Sequence, residues 1–113
     1  MLKAAVRKNG DVTIVDLSGD ITFGEGSRLL RQTIRDLASA GSQKILLNLA
    51  EVGFVDSGGL GEMVTCYASV SRQGGRMKLV NIQRRVSELL ELTKVSAILE
   101  VYQNEPLAVL SME

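Results

Sequence analysis

An acid and a hydroxyl stand side by side at Asp56-Ser57, between Phe54-Val55 and Gly58-Gly59-Leu60-Gly61. A serine hydroxyl can attack a substrate or accept a group. Attack needs a base to take the proton, because serine at its ordinary pKa is a poor nucleophile. The chain contains no histidine, so the residues favour acceptance, and phosphorylation by another protein is the obvious form. A phosphate at a helix N-terminus meets unpaired N–H groups and the positive end of the dipole, so it should leave the domain folded. It would also place nearly two negative charges beside Asp56, enough to disrupt a docked partner through repulsion and desolvation. The octapeptide alone favours the plainer reading, a helix cap at Ser57 in a glycine-containing turn.

The elements around Ser57 must position it. Lys44-Ile45-Leu46-Leu47-Asn48-Leu49 is a short apolar run, as in a strand covered on both faces. Beyond the turn, Leu60, Met63, Val64, Tyr67 and Ala68 recur at helical spacing, so the period changes across Ser57. Either Asp56 or Ser57 can cap that helix. Upstream, residues 2–7 and 12–17 read as strands joined at Asn9-Gly10, a dipeptide that favours a tight hairpin turn. Thr22-Phe23-Gly24-Glu25 has capping-box spacing. It precedes a helix over 27–40 whose Leu30, Ile34 and Leu37 form one stripe, with Arg28, Arg31, Arg35 and Asp36 toward solvent.

Gly74-Gly75 ends the second helix, and residues 76–81 read as a strand. A helix over 83–94 with Val86, Leu89 and Leu90 inward, a strand near 99–103 and a short helix opened by Pro106 complete the chain. The fold class is α/β: one domain over 1–113, a mixed sheet with an N-terminal antiparallel hairpin, helices packed against it, and right-handed crossovers.

Composition narrows the function. A chain of 113 residues forms one core. Thirteen basic and thirteen acidic residues balance, leaving no net field to draw the chain to nucleic acid or membrane. No run approaches a membrane span and no leader-like segment opens the chain, which reads as cytoplasmic. Cys66 is the single cysteine, so no internal disulfide or zinc cluster forms, and the residue is expected to pack. The glycines at 58, 59 and 61 lack the lysine and following hydroxyl of a P-loop, so no cofactor is expected.

Asp56, Ser57, Gly59, Leu60 and Gly61, together with the order of elements, resemble the STAS domain family and its small bacterial anti-sigma factor antagonists. The usual family pattern is Asp-Ser-Ser/Thr-Gly-Leu-Gly, and Gly58 is the one departure. Leu17-Ser18-Gly19-Asp20-Ile21 is similar to the family's Leu-x-Gly-Glu-Leu/Ile-Asp stretch, with Asp20 in place of glutamate and Thr22 in place of aspartate. The resemblance implies a binding module rather than an enzyme. Unphosphorylated, such a protein binds an anti-sigma factor that is also a serine kinase, and so frees a sigma factor. Phosphorylation of Ser57 would turn it off and a serine phosphatase would reset it.

Asp20, Phe23, Asp56 and Gly58 form the expected docking face. Phe23 lies in a glycine-bounded loop, where it serves either as an exposed interface anchor or as a hydrophobic staple on the first helix. Met63 and Tyr67 are expected in the core, and Arg84 and Arg85 on a solvated helix face. The alternative is a constitutive STAS scaffold or transporter-associated subunit that uses the same surface without phosphorylation.

Overall fold

The computed structural model describes Met1–Glu113. Strands β1 (Lys3–Asn9) and β2 (Val12–Ile21) form the N-terminal hairpin, paired antiparallel from Asn9↔Val12 to Lys3↔Ser18. Then come α1 (Glu25–Ser39), β3 (Lys44–Val55), α2 (Ser57–Arg72), β4 (Arg76–Val80), α3 (Arg84–Leu92), β5 (Val101–Tyr102) and α4 (Glu105–Leu110). The sheet runs β1-β2-β3-β4-β5, parallel at every junction after the hairpin. This is the expected mixed α/β architecture.

β3 is twice as long as its apolar run suggested. The run ends at Leu49, yet the strand continues to Val55 because residues 51–55 pair with the far end of β2, through register shifts at Asp16/Ser18 and Gly19/Asp20. Val52 and Val55 are buried by that pairing. The first helix opens two residues earlier than expected and closes one earlier, and its cap differs from the expected one. Ser27 closes the first turn, since its hydroxyl accepts from the Gly24 N–H at 3.1 Å while its own N–H donates to the Thr22 carbonyl at 2.9 Å. The Thr22–Glu25 box does not form, because Thr22 belongs to the loop that leaves β2.

The two faces of the sheet are filled unequally. One buries Leu17, Leu47 and Leu79 against Leu30, Met63 and Leu90 of the three longer helices. The other buries Val12, Ile14, Leu46 and Val80 against Ala108 and Met112 of the C-terminal segment. A charged clamp seats α4 there: the Arg7 guanidinium donates to Asp16 at 2.6 and 3.2 Å and to Glu105 at 2.6 and 3.0 Å. The sheet thus holds the end of β3 rigidly under the turn that carries Ser57.

Candidate functional site

β2 and β3 end together, at the pair Ile21↔Val55, and both chains turn outward. The Asp56 N–H donates to the Ile21 carbonyl at 3.2 Å. Asp56 is the N-cap of α2: its backbone is extended and its Oδ1 accepts from the Gly59 N–H at 2.8 Å. The same carboxylate accepts from the Phe23 N–H, at 3.0 Å to Oδ1 and 3.1 Å to Oδ2. One side chain therefore caps α2 and fastens the β2–α1 loop to it. The Gly59 and Phe23 N–H groups stabilise the ionised form and hold the Asp56 carboxyl below its usual range. Such a carboxylate serves as an anchor and is a poor proton acceptor.

Gly59 makes this joint possible. A Cβ there would collide with the Ile21 carbonyl, so no larger residue lets the α2 N-terminus sit against the end of β2. Ser57 follows the cap as the first helical residue and is exposed. Its hydroxyl stands at the positive end of a sixteen-residue helix, with the Asp56 charge as its neighbour.

The expected site residues gather at this end of the sheet. Asp20 is exposed near the end of β2, in register with Phe54. Phe23 is 82% exposed, which rules out the staple and leaves its ring in water. Gly58 lies half-buried beneath Phe23. Met63 is fully buried and Tyr67 packs against the core, as their spacing implied. Arg84 and Arg85 are exposed at the start of α3.

Two features escaped the sequence reading. Phe54 is 45% exposed and Leu92 is 81% exposed. With Val55, Val86 and Leu89 they line an open groove of about 270 Å³, rimmed by Arg85 and Glu88. The sequence signal was an aromatic, Phe54, two residues before Asp56. The second feature is Glu62, buried on α2 and held by Arg31 of α1 at 2.6 and 3.0 Å. An acid placed between Leu60 and Met63 was its only trace. Cys66 donates to the same carboxylate at 3.6 Å, and burial, with the Glu62 charge, pushes its thiol up to about 12. No group of three or more histidine, cysteine or carboxylate side chains could hold a metal, and no helix is long and apolar enough to cross a membrane.

Comparison with known proteins gives the same picture. The STAS domain model matches residues 3–108. The chain is 27% identical to the anti-sigma F factor antagonist of Paenibacillus polymyxa, over 99% of this chain and 96% of that protein. It is 30% identical to the anti-sigma-B factor antagonist of Bacillus subtilis strain 168, over 85% of this chain and 86% of the relative. The crystal structure of a Thermotoga maritima protein regarded as an anti-sigma factor antagonist superposes with a TM-score of 0.89 at 27% identity, covering 96% of this chain and 93% of the other. With the hairpin-led mixed sheet and the Asp56-Ser57 turn at its end, the chain belongs to the STAS domain family.

Proposed function

We propose that residues 1–113 act as one STAS unit that antagonises an anti-sigma factor in the cytoplasm. Unphosphorylated, the protein binds an anti-sigma factor that is also a serine kinase, and so releases a sigma factor. Phosphorylation of Ser57 ends the interaction, and a serine phosphatase restores it. The observation that carries this reading is the exposed Ser57 hydroxyl on the first turn of α2, beside a carboxylate already committed to two backbone N–H groups. A phosphoryl group there leaves the cap intact and gives the docking face a second anionic centre. Asp20, Phe23 and Gly58 supply the remainder of that face, while Asp56 acts mainly by positioning Phe23. The antagonists of Paenibacillus and Bacillus support the partner class.

The test is incubation with ATP and an extract of the source organism, followed by intact-mass measurement and peptide mapping beside a Ser57→Ala control. One phosphoryl group on Ser57, absent from the control, is the expected result. An unmodified protein that recovers a transporter or scaffold whether or not ATP is present would refute the switch.

A further inference from the structure

Phe23 is held by an arrangement that only glycine at position 58 permits. Its N–H is drawn down onto the first turn of α2 by both oxygens of Asp56. A Cβ at Gly58 would then lie 2.5 Å from the Phe23 Cβ, 2.9 Å from its Cα and 3.0 Å from its Cδ1. Non-bonded carbons meet at about 3.5–4.0 Å, and repulsion rises steeply inside that distance. The obstacles include the stem of residue 23, so rotating the ring does not clear them. The loop itself must shift.

The ring gains little burial from being held so closely, since Phe23 remains 82% exposed. An aromatic fixed by its backbone and left in water carries low ordering cost into a complex, which is the property of an interface anchor. Asp20 and Glu25, both exposed, flank it along the chain. Such a ring suits an apolar pocket with basic side chains at its rim.

We propose that Gly58 and Phe23 are an interlocked pair: Gly58 admits the loop, Asp56 fastens it, and the Phe23 ring becomes the rigid anchor that a basic-rimmed apolar pocket on a partner protein receives. The proposal rests on the docking face described above and assigns its central contact. Partner choice then depends on Gly58 beyond any contact Gly58 itself makes, because a side chain at 58 withdraws the ring.

The interlock is read on the isolated, ¹⁵N-labelled protein by amide hydrogen exchange. Gly58→Ser is expected to speed exchange at the Phe23 amide by about tenfold or more while the amides of Leu47 and Leu79 stay protected. An unchanged Phe23 amide overturns the interlock. The anchor is read by placing the photo-crosslinker p-benzoylphenylalanine at position 23 and irradiating the protein in an extract of the source organism. A discrete protein adduct is expected, with its yield reduced about tenfold when Gly58→Ser is added. No discrete adduct, or one formed equally well with Gly58→Ser, overturns the anchor. ATP separates this from the switch: an adduct that depends on Gly58 but ignores ATP supports the anchor and refutes control by Ser57 phosphorylation.

Discussion

Two glycines of α2, two residues apart, should respond to alanine with opposite signs. In a helix, alanine is favoured over glycine by about 1 kcal/mol, because glycine loses more backbone entropy on folding. Gly61 is exposed and a Cβ there would have no atom within 4 Å. Gly61→Ala should therefore stabilise the protein by about 0.5–1 kcal/mol. At Gly59 the same methyl would collide with the Ile21 carbonyl oxygen and lie 2.6 Å from its carbon and 2.9 Å from Ile21 Cγ2. The Ile21 carbonyl already accepts from Asp56 at the end of the β2–β3 ladder, so it cannot retreat without breaking that joint. Overpacking of about 3 kcal/mol set against about 1 kcal/mol of helix propensity leaves Gly59→Ala about 2 kcal/mol less stable. Urea unfolding of the two variants and the wild type, compared at equal m-value, measures the difference. The midpoint temperatures should separate by roughly 10 °C for a domain of this size. If Gly59→Ala were as stable as wild type, or Gly61→Ala less stable, the close contact between α2 and the end of β2 would be refuted.

Ser57→Ala should keep anti-sigma factor binding and abolish phosphate incorporation, whereas phosphorylated wild type and Ser57→Asp should bind more weakly in calorimetry; undiminished binding by the phosphorylated protein would sink the electrostatic switch. Arg31→Ala should destabilise more than Glu62→Gln, because the first leaves a buried carboxylate without its cation and the second keeps an acceptor for Arg31; thermal melts that reverse this order refute the clamp. The Cys66 thiol, 3% exposed and pushed up to about 12, should react with a thiol reagent at pH 8 only after unfolding, so rapid labelling of the native protein contradicts its packing. Asp16, Asp56 and Glu105 are each held below their ordinary values of 3.8, 3.8 and 4.5 by hydrogen bonds to their ionised forms. The unfolded chain then binds more protons in mild acid, so stability is full above about pH 4.5 and falls as the pH drops below it. Glu105→Gln should flatten that fall, and stability that rises toward pH 3 would show the sign to be wrong.

What the sequence determined is what neighbours along the chain decide among themselves. Period two around Asn9-Gly10 and period 3.6 after Ser57 depend on contacts a few residues apart, and both were legible together with the strand–turn–helix junction that exposes Ser57. The cap could be narrowed to Asp56 or Ser57 for the same reason. β3 was read too short because Ala50, Glu51 and Gly53 interrupt its apolar run, and its second half becomes a strand only by pairing with β2. The exposure of the Phe23 ring, which excludes the staple, goes with a loop fastened by a bond to Asp56, thirty-three residues away. Likewise, Arg31 was read as solvated because its partner is on another helix, and the Arg7–Glu105 contact joins the two ends of the chain. The sequence carries the chemical types of these groups, but the distances between them are set by how the helices and the sheet pack together. Ser57 as a candidate acceptor was therefore visible in the order of residues, whereas the fastened Phe23 loop and the need for glycine at 58 and 59 were decided only by tertiary packing.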